Sequence, residues 1–153
     1  MIKVVKNFTA VEHRIEYVTT INDVDYYNDS KGTNTDAAIK AVQAMNRPTI
    51  VIGGGYDKDS QYDEWIESFG DKVKWLVLLG QTKEKIAACA KAHGYEHVVM
   101  VETLEEAVNE CYKLAEAGSA VLLSPACASW GMFPNYEVRG RMFKELVHKL
   151  KES

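Results

Sequence analysis

The stretch Val24-Asp25-Tyr26-Tyr27-Asn28-Asp29-Ser30-Lys31-Gly32-Thr33-Asn34 joins a predicted strand to a predicted helix. The helix begins after it, because apolar residues between Ala38 and Met45 recur at the spacing of one helical face. A polar turn between a strand and a helix is a common ligand site in α/β proteins, and the helix N-terminus offers unpaired N–H groups to an anion. This turn carries more carboxylate, ammonium, hydroxyl and amide groups than a connection needs. The structural alternative is a capped helix, with Thr33 or Asn34 as the N-cap.

The rest of the chain alternates strands and helices. Three nearly continuous apolar runs, at residues 48–52, 73–79 and 120–123, are typical of strands buried on both faces of a parallel sheet. A shorter strand is predicted at 97–101, and helices are predicted at 82–93, 103–117 and 139–150. Residues 14–18 and 24–27 predict an N-terminal β-hairpin, which is antiparallel. The sequence therefore predicts an α/β fold with a mostly parallel sheet and one antiparallel strand.

Composition narrows the class of protein. At 153 residues, with 46% hydrophobic and 26% charged residues, the chain fits one globular domain. The formal charge of −4 and the scattered lysines argue against a nucleic-acid surface. No apolar run approaches a membrane span, and the N-terminus lacks the features of a signal peptide. Cys89, Cys111 and Cys127 are odd in number and widely separated, so their spacing predicts neither a disulfide framework nor a zinc site. We expect a cytoplasmic protein.

Four polar segments follow predicted strands, at residues 29–34, 53–59, 80–82 and 124–129. Because the carboxyl ends of parallel strands meet at one edge of a sheet, we expect these segments to converge. Lys31 and Lys58 then bring two ammonium groups to that edge. Such a pair suits an anionic ligand, for example a dicarboxylate or a phosphate.

Two motifs in these segments have simpler interpretations than nucleotide binding or catalysis. The glycine run at 53–55, followed by Lys58, fits neither G-x-x-x-x-G-K-[ST] nor G-x-G-x-x-G, and a tight turn after the strand explains it. Cys127 stands among small residues without an obvious base partner, which is typical of close packing rather than a catalytic thiol. Ser129 is better suited to donate a hydrogen bond to a ligand.

Three motifs, in order along the chain, carry a resemblance to a known family. Residues 28–34 resemble the Asn-Asp-Ser-Lys-Ala/Gly-Thr-Asn signature of the D-glutamate-adding branch of the bacterial Mur ligase family. Residues 122–129, Leu-Leu-Ser-Pro-Ala-Cys-Ala-Ser, and the upstream His13-Arg14-Ile15-Glu16 are similar to two further motifs of that branch. The later residues Phe133, 135–137 and Arg139-Gly140 continue the match, so the resemblance covers nearly the whole chain.

The resemblance implies a fold and a reaction. Residues 13–153 would form the C-terminal, amino-acid-binding domain, which has a Rossmann-like sheet, and residues 1–12 would be the remaining linker from a missing central domain. In the family, ATP phosphorylates the carboxylate of UDP-N-acetylmuramoyl-L-alanine. The amine of D-glutamate then attacks the acyl phosphate, which gives an amide, ADP and phosphate in peptidoglycan synthesis. The phosphate-binding loop and the modified lysine that holds Mg²⁺ belong to the central domain, so this chain alone is expected to be inactive.

Carried over residue by residue, the resemblance implies two groups of binding residues. Arg14 and Asp29 match positions that contact ATP, Asp29 towards the ribose or base. Lys31 matches a lysine at the phosphate and substrate end of the site. The remaining matches bind D-glutamate: Thr33, Lys58 and Ser129 through its carboxylates, and Tyr136 by packing and through its backbone.

The resemblance also implies what the domain lacks. We expect no catalytic residue and no metal ligand in this domain alone, and no cofactor bound tightly to it, although the full-length enzyme needs ATP and Mg²⁺. The expected partners are D-glutamate, ATP or ADP, and UDP-N-acetylmuramoyl-L-alanine through the missing domains. A monomer in the bacterial cytoplasm is expected, without nucleic acid or membrane. The alternatives are the matching domain of a sibling amino-acid ligase or folylpolyglutamate synthase, and a stand-alone, non-catalytic α/β ligand-binding module.

Overall fold

The computed structural model describes residues 12–152, in which strands and helices alternate. The linker predicted over residues 1–12 lies outside the described residues, apart from Glu12. None of the described helices combines the length and the apolar composition that a membrane span requires. The strands are β1 (Glu16–Ile21), β2 (Val24–Asn28), β3 (Thr49–Gly53), β4 (Val73–Leu78), β5 (Val98–Met100) and β6 (Ala120–Leu123). The helices are α1 (Thr35–Ala44), α2 (Asp63–Glu67), α3 (Lys83–Ala92), α4 (Leu104–Leu114) and α5 (Tyr136–Glu152).

The strands form a single sheet in the order β1-β2-β6-β3-β4-β5. Every neighbouring pair is parallel except β1 and β2, which are antiparallel. The hairpin between them turns at Asn22 and Asp23, whose φ angles of 52° and 65° are both positive. Two positive φ angles are typical of the two-residue turns whose twist matches that of the strands. The predicted α/β fold, with a mostly parallel sheet and an antiparallel N-terminal strand, is confirmed.

Helices cover both faces of the sheet and give the domain two hydrophobic cores. Helices α1, α2 and α3 pack on one face, through buried residues such as Val42, Trp65 and Ile86. Helices α4 and α5 pack on the other face, through residues such as Val108 and Phe143. Successive residues of β3 and β6 point alternately into the two cores, which is why these strands are apolar without interruption.

Helices α1 and α4 each follow a residue whose side chain caps the helix N-terminus. Asn34, one of the two predicted candidates, caps α1: its side-chain oxygen accepts the N–H of Ala37 at 2.9 Å. Thr103 caps α4 by accepting the N–H of Glu106 at 3.1 Å. The Glu106 carboxylate accepts the N–H of Glu102 at 2.8 Å, which is a capping box whose second bond reaches one residue before the cap.

Several predicted boundaries are wrong. The first strand was expected at 14–18 but runs from Glu16 to Ile21, because positive φ angles at His13 and Ile15 (69° and 46°) prevent an earlier start. Helix α4 ends at Leu114 rather than at 117, and α3 is one residue shorter at each end than predicted. Helix α5 begins at Tyr136, three residues before the predicted start at 139. Helix α2 was not predicted, because its 5 residues are too few to show a period.

Gly140 allows α5 to pack closely against the N-terminal segment. A Cβ atom there would lie 2.2 Å from Nδ1 of His13 and 3.0 Å from Nδ2 of Asn28. These two side chains are themselves hydrogen-bonded, with 2.8 Å between Asn28 Nδ2 and His13 Nδ1. Any side chain at residue 140 must therefore displace a buried polar pair.

We expect Gly140→Ala to lower the free energy of unfolding by about 1–3 kcal/mol, as overpacking of a tight core does. Helix propensity alone acts in the opposite direction and would stabilise the variant by about 1 kcal/mol. Urea unfolding of the two proteins measures the sign directly. Arg141→Ala, at the neighbouring exposed position of the same helix, is the control and should change stability by less than about 0.5 kcal/mol. A stabilised Gly140→Ala variant would contradict the close contact.

Candidate functional site

The four polar segments converge at the carboxyl edge of the sheet, as the alternation of elements predicts. The segment after β6 lies between those after β2 and β3: the N–H of Ala126 donates to Gly32 O at 2.9 Å, and the N–H of Gly54 donates to Pro125 O, also at 2.9 Å. The segment after β3 in turn bonds the one after β4, since the N–H of Thr82 donates to Gly55 O at 3.2 Å. We call these segments, residues 29–34, 53–59, 80–82 and 124–129, the edge loops.

The glycine run of the second edge loop is a packing feature. Gly54 has a φ of +104°, and a Cβ atom there would lie 2.0 Å from the carbonyl oxygen of Leu79. A larger residue would be strained and would push the second and third edge loops apart. This supports the tight-turn interpretation of the run.

Asp29 is buried at the centre of the edge loops. Only 3% of it is exposed, its Oδ1 accepts the N–H of Ile15 at 3.1 Å, and its Oδ2 accepts the hydroxyl of Ser124 at 2.9 Å. Burial raises the pKa of the Asp29 carboxyl to about 6, although the bonds from Ser124 and Ile15 oppose the shift. Asp29 thus joins the first and fourth edge loops and fixes the backbone next to Arg14, whose side chain is exposed.

Arg139 is a second buried group and one that the sequence analysis did not identify as a site residue. Its Nε and Nη2 donate to Oγ and O of Ser30 at 2.9 and 2.8 Å, and its Nη1 donates to Cys127 O at 3.1 Å. Ser30 Oγ donates in turn to the carbonyl of Tyr136 at 2.7 Å. Burial lowers the pKa of Arg139 to about 10. The sequence does contain a signal that Arg139 is buried, because it lies four residues before Phe143 and so on the buried face of α5.

Ser129 borders a narrow cleft between the edge loops and α5. It is 4% exposed, and the cleft, which Arg139 and Phe133 also line, has a volume of about 10 Å³. That is room for about one water molecule, so the cleft is too small to enclose a ligand the size of an amino acid. Tyr56 and Trp130 form an exposed aromatic pair, with ring centroids 5.3 Å apart, and Tyr56 is tied to the fourth edge loop by its N–H bond to Ala128 O.

Lys31 and Lys58 belong to the first and second edge loops, and both side chains are exposed. The N–H of Lys31 donates to His13 O at 2.9 Å, which fixes its backbone. Lys58 stands between Asp57 and Asp59, whose carboxylates lie 3.3 and 3.9 Å from the ammonium group of Lys85. Within residues 12–152 neither Lys31 nor Lys58 forms an ion pair, so both charges are exposed to solvent.

Two further predicted residues also lie at this edge. Thr33 is half-buried, and its N–H donates to Lys31 O at 2.8 Å. Tyr136 opens α5 and packs the edge of its ring against His13, with ring centroids 5.9 Å apart. The structure therefore brings all seven predicted residues to one edge of the sheet.

Cys127 is a packing residue. Its sulfur lies 3.4 Å from the hydroxyl groups of Tyr62 and Thr82. Burial raises the pKa of the Cys127 thiol, so the reactive thiolate is disfavoured. This agrees with the interpretation of Cys127 from the sequence.

Comparison with known proteins identifies related sequences. Residues 13–127 match the family described as "Mur ligase, glutamate ligase domain". A protein of Lachnospira eligens named UDP-N-acetylmuramoylalanine–D-glutamate ligase is 61% identical over 150 residues, which cover 98% of this chain and 33% of that protein. The chain thus spans about a third of the length of this curated relative.

Solved structures share the fold at low sequence identity. UDP-N-acetylmuramate-alanine ligase MurC from Thermotoga maritima has a TM-score of 0.62 and 17% identity, over 94% of this chain and 32% of that one. MurF ligase from Thermotoga maritima, in complex with ADP, has a TM-score of 0.57 and 13% identity, over 94% and 33% of the two chains. At these identities the likeness shows the fold alone.

The raised pKa of Asp29 makes a prediction about stability and pH. Its folded pKa of about 6 lies above the ordinary value of 3.8, so the folded state holds a proton that the unfolded state releases in this interval. The resulting stabilisation is fully present below about pH 4 and is lost as the pH rises through about 6. We expect the advantage of the wild type over Asp29→Asn to shrink by up to about 3 kcal/mol across this interval. Urea unfolding of both proteins at several pH values measures it, and parallel curves would refute it.

The bonds of Arg139 predict that charge alone cannot replace it. Arg139→Lys keeps a cation but cannot reach three acceptors arranged around a planar guanidinium group. We expect the free energy of unfolding to fall by at least about 2 kcal/mol, because buried acceptors are left unpaired. Arg141→Lys, at an exposed position of the same helix, is the matched control. Equal denaturation midpoints for the two variants would show that the buried bonds contribute nothing.

Proposed function

The chain belongs to the Mur ligase family, in its glutamate ligase domain, and from this premise we propose that it is the C-terminal domain of an ATP-dependent ligase of peptidoglycan synthesis. That ligase adds D-glutamate to UDP-N-acetylmuramoyl-L-alanine. The 61% identity with a relative named for this reaction, over 98% of the chain, carries the proposal. The edge loops support it, because they place cationic and hydroxyl side chains on one rigid edge of the sheet.

This domain holds D-glutamate. Thr33, Lys58 and Ser129 bind its two carboxylates, since ammonium and hydroxyl donors suit a dicarboxylate. Donors on separate loops with fixed backbones distinguish D- from L-glutamate by position. The backbone of Tyr136, anchored by Ser30, borders the same ligand. D-glutamate lies across the mouth of the narrow cleft, and the domains outside this chain complete the pocket.

Positioning the amine of D-glutamate is the domain's contribution to the reaction. The amine nitrogen attacks the carbonyl carbon of the acyl phosphate, a C–N bond forms, and the C–O bond to phosphate breaks. Lys31 lies at the phosphate end, where its ammonium group stabilises the negative charge that collects on the leaving phosphate. A base outside the residues assigned here accepts the proton that the amine loses.

ATP meets this domain at Arg14. When bound in the complete enzyme, ATP supplies the phosphoryl group that activates the carboxylate, with Mg²⁺ held by the central domain. The exposed guanidinium group of Arg14 suits a phosphate or a base. Asp29 is buried and both its oxygens accept hydrogen bonds, which favours a supporting role: it fixes Ile15 and so the backbone beside Arg14. A direct contact between Asp29 and ATP stays a prediction from the resemblance, as do a monomer and the bacterial cytoplasm.

Two alternatives have different consequences. A sibling ligase domain shares the fold, as MurC and MurF do, but the identity with a D-glutamate ligase disfavours it. A stand-alone binding module requires no further domains for ligand binding. Titration of this chain with D-glutamate, L-glutamate and ADP, followed by NMR, tests the second alternative: tight binding in isolation without a preference for D-glutamate favours the module.

The site assignment is tested in a chimera in which this chain replaces the matching third of the Lachnospira eligens relative. We expect Ser129→Ala to lower kcat/KM for D-glutamate by about 10- to 100-fold, the effect of losing one hydrogen bond to a charged group. Lys31→Ala should lower turnover at least as much. Steady-state assays of phosphate release measure both.

Lys74→Ala is the matched control, because Lys74 is exposed in β4 near the opposite edge of the sheet. Its kcat/KM should stay within about twofold of the unmodified chimera. Unchanged kinetics in Ser129→Ala and Lys31→Ala would refute the assignment. An inactive unmodified chimera whose domains are folded would count against the family reaction itself.

A further inference from the structure

Asp63, Cys89 and His93 form a cluster on the face of the domain formed by α2 and α3, away from the edge-loop residues assigned above. Their ligand-type atoms all lie within 4.8 Å of one another. Oδ1 of Asp63 is 2.8 Å from Nε2 of His93 and 3.6 Å from Sγ of Cys89. Separations of this size are close to those between neighbouring ligand atoms around a tetrahedral metal ion.

The sequence could not show this cluster. Cys89 and His93 are four residues apart and share one face of α3, but a single Cys–His pair is a weak signal. Asp63 comes from α2, which was not predicted, and it reaches the pair only because α2 packs against α3. The expectation that the cysteines take no part in a metal site rested on spacing along the chain, and spacing does not report contacts between helices.

Hydrogen bonds already bring the three side chains to one point. Oδ1 of Asp63 accepts hydrogen bonds from Nε2 of His93 and from Sγ of Cys89. A metal ion bound at this point replaces these hydrogen bonds, since it deprotonates a coordinating thiol.

A fourth residue lies where a metal-binding histidine needs support. Oε2 of Glu67 is 3.6 Å from Nδ1 of His93, the ring nitrogen on the other side from Asp63. Histidine ligands usually direct their second N–H group to a carboxylate, which fixes the orientation of the ring. His93 thus has a ligand-type neighbour at one nitrogen and an orienting carboxylate near the other.

A second cluster of ligand-type side chains provides a contrast. Glu12, His13 and Glu16 also lie close together, but Lys144 places its ammonium group 2.7 and 3.2 Å from the two carboxylates. That cluster already contains its cation. In the part of the chain that the structure describes, Asp63 pairs with His93 and with no lysine or arginine.

We propose that Asp63, Cys89 and His93 bind a divalent cation of borderline softness, Zn²⁺ by preference, with water as the fourth ligand. One thiolate, one imidazole and one carboxylate are ligands that Zn²⁺ accepts, whereas Mg²⁺ prefers oxygen ligands only. The ion joins α2 to α3. Because α2 begins five residues after Lys58, this link braces the second edge loop from outside the ligand site.

Cobalt is the probe, since Co²⁺ bound to a thiolate gives a charge-transfer absorption and tetrahedral Co²⁺ gives intense visible bands. Titration of chelator-treated chain should produce both, saturating at one ion per chain, and Zn²⁺ should abolish them by displacement. Cys89→Ser should remove the charge-transfer absorption. His93→Gln should weaken Co²⁺ binding by more than tenfold, and Glu67→Gln by about tenfold.

His148→Ala is the control, because His148 is an exposed histidine on α5 outside the cluster, and its titration should match that of the wild type. Circular dichroism confirms that each variant is folded. Two results would overturn the proposal: wild type without a charge-transfer absorption at a molar excess of Co²⁺, or the same absorption in folded Cys89→Ser.

Discussion

The geometry of the edge loops depends on two buried ionisable side chains, Asp29 and Arg139. Loops without regular hydrogen bonding are held only by specific contacts, and here each of these side chains bonds to more than one segment. Taking a carboxyl group and a guanidinium group out of water is unfavourable, and the raised pKa of Asp29 and lowered pKa of Arg139 reflect it. Hydrogen bonds to serine hydroxyls and backbone groups offset that cost. Burying these two side chains therefore fixes the arrangement of the loops at a cost in folding free energy.

Strand order decides which loops these contacts can join. Because β6 lies between β2 and β3, the loop after the last strand reaches the loops after both of its neighbours. Helix α5 follows this loop and packs on the sheet. Arg139, near the start of α5, is therefore buried next to the first and fourth edge loops. The close packing of Gly140 against His13 and Asn28 sets the depth of that burial. The position of β6 between β2 and β3, together with the small size of Gly140, thus places the guanidinium group of Arg139 within hydrogen-bond distance of both Ser30 and Cys127.

Much of this could be predicted from the sequence, and the exceptions share a cause. Hydrophobic periodicity predicted the parallel sheet and the convergence of the four edge loops, and turn chemistry narrowed the N-cap of α1 to Thr33 or Asn34, of which Asn34 is the cap. Each of these depends on residues near one another in the chain or on the general geometry of parallel sheets. The role of Arg139 and the contact of Asp63 with Cys89 depend instead on which elements pack together in space. Asp29 shows the same limit, since a motif identifies the residue but not its burial.

Charged side chains with and without hydrogen-bond partners are separated in this domain. The inner charges, Asp29 and Arg139, have their hydrogen-bond partners within the fold. The outer ones, Arg14, Lys31 and Lys58, are exposed on a chain whose net charge is −4. Exposed cations at one edge of an acidic domain raise the local concentration of anionic ligands there. The narrow cleft has room for about one water molecule, so a larger ligand at this edge stays in contact with water unless a second surface covers it.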